Sequence, residues 1–299
     1  MTLLTRRRFL TISAACAAVS ARAAPASAQW AGIALGAPAS LRLEGLSPTE
    51  AAPIFAAVEA ELNRLEDVFS LYRPESEISR LNQTGILTSP DPELLNVLSL
   101  CSALHTASDG AFDPTVQPLW LALANGASQA EIDRVRHLIG WDEVSVDIDA
   151  IRLPHRGRSA ITLNGIAQGA ITDRIAALLR SFDLQDVLVD MGEIAALGRR
   201  NSGELWRIGL SGPDGTIAKR IRVQDRAVAT SAPAGTILRG NQGHILNPQG
   251  KNPTHKAASV SAPQAALADG LSTALCLMPV SDATTMVSRF PGSQIEMLI

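Results

Sequence analysis

A chain of 299 residues, 46% hydrophobic but only 4% aromatic, can bury a sizeable core, and that core must rest on Ala, Leu, Ile and Val. The formal charge is −3, and removing residues 1–28 takes away Arg6, Arg7, Arg8 and Arg22 and no acid, which leaves a body at −7. So acidic a body excludes a general nucleic-acid partner, and no uninterrupted stretch of about 20 apolar residues offers a membrane span.

The opening MTLLTRRRFLTISAACAAVSARAAPASAQ sets Arg6 and Arg7 ahead of Phe9 and Leu10, then a short Ala-rich run with Ala-x-Ala sites at Ala21/Ala23 and Ala26/Ala28. The pattern predicts a twin-arginine export signal over residues 1–28 and a periplasmic mature protein over 29–299. Cys16 lacks an apolar residue three positions before it, which speaks against a lipoprotein site. From Ser47 to Phe69, Ile54, Val58, Leu62 and Leu65 recur at helical spacing behind a Ser-Pro-x-Glu start, which predicts a long amphipathic helix. FSLYRPESEISRLN turns at Pro74 into a short helix ending near Asn82, and Asp91–Ser108 reads as a second long helix. GAFDPTVQPLW breaks that helix. A polar, helix-prone patch at 128–139 precedes short strands at 144–148, 151–154 and 160–163, and a glycine-bearing turn then opens a helix from about Ala167 to Phe182.

The second half carries six short β-type runs, DVLVDMG, EIAALG, WRIGLS, KRIRVQ, RAVATS and AASVSAP, whose brief connections favour antiparallel pairing. A last helix is expected from Ala265 to Met278. Strands and helices are segregated, so the predicted class is α+β with mixed, mostly antiparallel sheets. Cys101 and Cys276 sit on apolar helix faces and read as buried free thiols; whether they pair is not legible from spacing. No Cys/His cluster suggests zinc or an iron–sulfur centre.

Three segments carry residues suited to chemistry. In ADGLSTAL, Asp269 and Thr273 lie four apart on a helix, so a carboxylate and a hydroxyl leave one face; this suits a hard cation that keeps room for phosphate, although capping of a helix start uses the same pair. In TLNGIAQGAITD, Gly165 and Gly169 allow close backbone approach at a helix start, either to a phosphate or simply to a neighbouring element. The spacing fails Gly-x-Gly-x-x-Gly, and no Walker motif is present. His244, in GHILNP, could take a proton from a hydroxyl, and Asp113, in FDPT, either caps a turn or binds a ligand.

FSLYRPESEISRLN, GAFDPTVQPLW, LNGIAQG, VATSA, GHILNP and ADGLSTAL together resemble, in order and spacing, the ApbE-like FAD:protein FMN transferases over about Glu66 to Leu277. The resemblance implies that family's α+β fold with the nucleotide between two lobes, bound Mg2+ and FAD, and transfer of FMN to a Ser or Thr hydroxyl of a partner flavoprotein as AMP leaves. It implies metal binding by Gly165, through its carbonyl, with Asp269 and Thr273. It implies FAD contacts from Glu77, Ile78, Ser79, Asp113, Gln168 and Ile245, and a catalytic His244 beside Asp269. The family's Asp-x-Gly-Gly-x-Ala-Lys-Gly is replaced here at Thr162, Asn164 and Gln168, and its His-x-x-Asp-Pro carries Asn247, which removes carboxylates and a lysine from a phosphate site. Such variants with twin-arginine signals are similar to exported NosX-type members, which serve a nitrous oxide respiration flavoprotein. The substitutions also admit a non-catalytic periplasmic FAD carrier or maturation chaperone, and an FAD pyrophosphatase is a further reading.

Overall fold

A computed structural model describes residues 27–299; residues 1–26, and with them nearly all of the expected export signal, lie outside the described residues. The described chain opens with a hairpin, β1 (Ser27–Ala34) and β2 (Ala37–Glu44), followed by α1 (Pro48–Phe69) and α2 (Glu77–Thr84). Next come β3 (Ile86–Thr88), α3 (Pro92–Ala107), α4 (Gln117–Asn125), α5 (Gln129–Arg136), β4 (Ser145–Val146) and β5 (Ala150–Arg152). Helix α6 (Ala167–Ser181) leads into β6 (Val187–Asp190), β7 (Ile194–Leu197), β8 (Trp206–Ser211), β9 (Ile217–Val223) and β10 (Arg226–Ser231). After β11 (Ala258–Ala262) come α7 (Ala265–Leu275), α8 (Val280–Ser288) and β12 (Gln294–Leu298).

Seven strands form one sheet in the order β1-β2-β6-β7-β10-β11-β12, every neighbouring pair antiparallel. The predicted α+β class is what the chain adopts. Helices α1, α3, α6 and α7 pack over one face of this sheet, while the β8–β9 hairpin lays Trp206, Ile208, Leu210 and Val223 over the other. Alternation along β10 feeds both: Ala229 joins the helical core and Val228 the hairpin's. Helix α1 starts where its capping box predicts, with the Glu50 amide donating to the Ser47 hydroxyl and the Ser47 amide to Glu50 Oε2, an arrangement worth about 0.5–2 kcal/mol.

The six β-type runs of the second half all become strands. Residues 160–163 do not: the Ile161 amide donates to the Asn82 side chain and Thr162 to the Pro114 carbonyl, so the backbone is satisfied without a ladder. Strands β1, β2, β3 and β12 and helices α4 and α8 were not anticipated. Both cysteines of the body are free and buried, and burial pushes the Cys276 thiol up to about 12, so neither is a ready nucleophile.

One contact positions everything that follows. Helices α6 and α7 cross at Gly169, where a Cβ would collide with the Ala265 backbone. The turn is tied from both sides. The Gly169 amide donates to Asp269 Oδ2 at 3.2 Å, while Asp173, one turn later on α6, accepts from the amides of Ala265 and Ala266 at 2.7 and 2.9 Å and so caps α7. A Gly169→Ala change is expected to cost about 1–3 kcal/mol in urea unfolding, because backbone rather than a flexible side chain fills the space. An unchanged unfolding midpoint would remove the crossing from this role.

Candidate active site

Beside that crossing lies a cavity of about 370 Å³, walled by the starts of α4 and α6, one face of α7, the end of β10 and the loop through residue 246. Of the residues expected from sequence, Asp113, Gly165, Gln168, His244, Ile245, Asp269 and Thr273 all line it. Positions more than a hundred residues apart thus converge. A side chain at position 165 would meet Thr273 Cγ2 at 2.9 Å and Oγ1 at 3.0 Å, so only glycine lets the α6 start sit this close to α7.

Glu77, Ile78 and Ser79 are not brought into this cavity. Ser76 caps α2 and turns Ile78 wholly into the core; Glu77 Oε2 accepts the Asp91 amide at 2.9 Å, and Ser79 borders a separate depression with Asn82 and Gln117. Their segment is helical as expected, but its side chains stabilise α2 and the start of α3. Asp113 lines the cavity while its oxygens serve the turn: Oδ1 accepts from the Thr115 amide at 2.7 Å and hydroxyl at 2.5 Å, and Oδ2 from the Trp141 amide at 3.4 Å. The α6 start is also less open than its glycines suggest, since the Ala167 amide bonds Leu163 and that of Gly169 bonds Asp269.

Hydroxyls meet where β10 faces α7. Thr273 Oγ1 lies 3.1 Å from Ser231 Oγ, which lies 2.8 Å from Ser272 Oγ. Among the described residues no group of three or more His, Cys, Asp or Glu side chains is arranged to hold a metal, so a cation here must draw on hydroxyl and carbonyl oxygens too. The donor set of Asp269, Thr273 and the Gly165 backbone fits Mg2+, which takes few protein ligands and all of them oxygen. Burial pushes the Asp269 carboxyl up to about 7; the Gly169 amide works against that rise and the charge of Asp173 adds to it. His244 Nδ1 lies 3.0 Å from the Pro233 carbonyl oxygen and 3.2 Å from the Thr236 amide nitrogen, and the partner it serves sets its tautomer.

Sequence reasoning missed several residues of the wall, chiefly Phe112, Trp120, Glu193, Ser231 and Leu277. Glu193 left one trace, an acid directly after a glycine between two β-type runs, where a plain strand gives no reason for either. It is now 8% exposed, and its carboxyl is held well above the usual range, first by burial and then by Asp269, with Asp190 adding to both.

The fold and this cavity define an α+β protein with a walled pocket at a helix crossing. A model of the ApbE family matches residues 35–299, and the chain belongs to that family. It is similar, at 27% identity over 257 residues (78% of this chain and 74% of the relative), to a Haemophilus influenzae protein named FAD:protein FMN transferase. Its fold matches that of the flavin transferase ApbE from Vibrio cholerae with a TM-score of 0.79 at 23% identity, over 89% of this chain and 91% of the other. The flavinyl transferase ApbE of Pseudomonas stutzeri, in its apo form, matches with a TM-score of 0.76 at 26% identity, over 89% and 88%.

The raised Asp269 carboxyl fixes a pH dependence. Folding takes up a proton at this site between about pH 4, where an unfolded aspartate titrates, and about pH 7, so the protonated site is fully stable below that window and its contribution is lost as pH rises through it. Without added cations the melting temperature is expected to fall from pH 5 to pH 8. Asp269→Asn should flatten that fall and leave the cation-free protein on the order of 1–3 kcal/mol more stable at pH 8. An equal fall in the variant would place the titration elsewhere.

Proposed function

We propose that this protein is a Mg2+-dependent flavin transferase that moves FMN from FAD to a Ser or Thr hydroxyl of a partner flavoprotein and releases AMP. The observation that carries the reading is the meeting of Gly165, Gln168, His244, Asp269 and Thr273 around one cavity. The activity printed for the Haemophilus influenzae relative supports it. A twin-arginine segment over residues 1–28 supports action in the periplasm, and the NosX-type resemblance supports an exported electron-transfer flavoprotein as acceptor.

Bound Mg2+ supplies charge neutralisation at the pyrophosphate. The chain's own residues do the rest. Asp269 and Thr273 hold the seat on one face of α7, and the Gly165 backbone closes it from α6. Gln168, in place of a lysine, offers an amide that hydrogen-bonds a phosphate oxygen without adding charge. With Nδ1–H donating to Pro233, His244 leaves Nε2 free to accept the hydroxyl proton. The acceptor oxygen then bonds the FMN phosphorus, the phosphoanhydride bond breaks, and AMP leaves with the bridging oxygen. Positioning the two reactants in a walled site supplies most of the acceleration.

With FAD, Mg2+ and an acceptor domain, the mature protein is expected to yield AMP and a covalently fluorescent acceptor in equal amounts. Asp269→Ala should abolish both, and His244→Ala should slow transfer on the order of 10²- to 10⁴-fold while FAD still binds. AMP and free FMN without labelled acceptor would instead identify a pyrophosphatase, and bound FAD with no AMP at all a carrier.

A further inference from the structure

The cavity lining contains three carboxylates, Asp113, Glu193 and Asp269, and no lysine or arginine; its one basic side chain is His244. A dinucleotide brings more negative charge into this wall. Asp113 cannot answer it, since both its oxygens are committed to the turn at Thr115 and Trp141. Asp269 and Glu193 differ from it: both are more than nine-tenths buried, and among the described residues each has only one oxygen engaged, Asp269 Oδ2 by the Gly169 amide at 3.2 Å and Glu193 Oε2 by the Thr230 amide at 3.3 Å. Each thus brings an uncommitted carboxylate oxygen to the same cavity, a costly arrangement unless a cation takes it up.

The Asp269 carboxylate and the Glu193 backbone are anchored to the same turn of α6. The Gly169 amide holds the Asp269 side chain, and three residues on the buried Thr172 hydroxyl donates to the Glu193 carbonyl at 3.1 Å. Gly192, at φ +102°, gives up its side chain so that the Gln168 amide can occupy the space where a Cβ would stand, 2.5 Å away. The strand turn that presents Glu193 is therefore fitted to the helix that presents the cation seat.

We propose that Glu193 is a second carboxylate ligand of the divalent cation, beside Asp269 and Thr273 in the donor set, and that the dinucleotide binds this chain only after the cation is seated. Two carboxylates, a hydroxyl and a backbone carbonyl make an oxygen set suited to Mg2+ or Mn2+, with positions left for phosphate and water. Glu193 restores the carboxylate that Thr162 does not supply, and the cation takes over the charge that Gln168 does not carry. The inference rests on the flavin-transferase reading for the identity of the dinucleotide, but not for the cation site itself.

The test uses the mature chain, residues 29–299, with Mn2+ alone, read by electron paramagnetic resonance of the free ion, and with FAD, read by quenching of flavin fluorescence. Glu193→Gln keeps the Thr230 hydrogen bond and should weaken Mn2+ binding tenfold or more in the absence of FAD, while the melting temperature in EDTA stays at or above that of the wild type. Glu193→Asp, which keeps a carboxylate on a shorter arm, should bind Mn2+ with intermediate affinity. FAD should bind the wild type at least tenfold more weakly in EDTA than in Mg2+, and excess Mg2+ should recover its binding to Glu193→Gln. Unchanged Mn2+ affinity in a folded Glu193→Gln or Glu193→Asp protein would overturn the ligand assignment, and equally tight FAD binding in EDTA would overturn the order of binding. Since Mn2+ binding needs neither FAD nor acceptor, a protein that seats the ion through Glu193 yet transfers no FMN would refute only the proposed activity.

Discussion

The approach of α6 to α7 is the constraint on which the site depends. It exists because two positions one helical turn apart, Gly165 and Gly169, carry no side chain: one lets the loop meet Thr273, the other lets the helix meet the Ala265 backbone. Asp173 and Asp269 then fasten the helices in opposite senses, α6 accepting amides from α7 and α7 accepting an amide from α6. A pair of helices tied this way holds its facing side chains in a fixed relation. Chemistry that relies on placement more than on reactive groups requires such a frame.

Electrostatics gives the frame its purpose. Buried carboxylates in a wall without lysine or arginine are a standing cost to the empty protein, and Asp269 and Glu193 meet it by holding protons more tightly than exposed acids do. Stability surrendered in the empty state is returned when positive charge arrives. Thr162 and Gln168 sharpen the point, because neutral residues stand where the family pattern has an aspartate and a lysine.

Much of this was legible before any coordinate. Helical spacing placed α1, α3, α6 and α7, and short β-type runs between turn residues placed β6 to β11, since each pattern reports which face is buried. The convergence of Gly165, Gln168, His244, Asp269 and Thr273 came from the resemblance, not from spacing. Strands β1 and β2 escaped because Ala, Gly and Pro dilute their alternation, and α4 because Pro118 at its start reads as a breaker although proline is well placed in a first turn. Glu77, Ile78 and Ser79 lie in the helix expected but not in the cavity's wall, and which side of a short helix meets a pocket depends on tertiary packing that local spacing does not display. Glu193 was hidden because an acid beside a strand is ordinarily a solvated one.

The most direct measurement of the central claim is the anomalous difference density of a crystal grown with FAD and Mn2+. A peak bounded by Asp269, Thr273 and the Gly165 carbonyl, with the pyrophosphate of FAD against it in the cavity of Gln168 and His244, is what this account predicts. FAD bound elsewhere on the molecule, or lying in the cavity with no ion between its phosphates and α7, would contradict it.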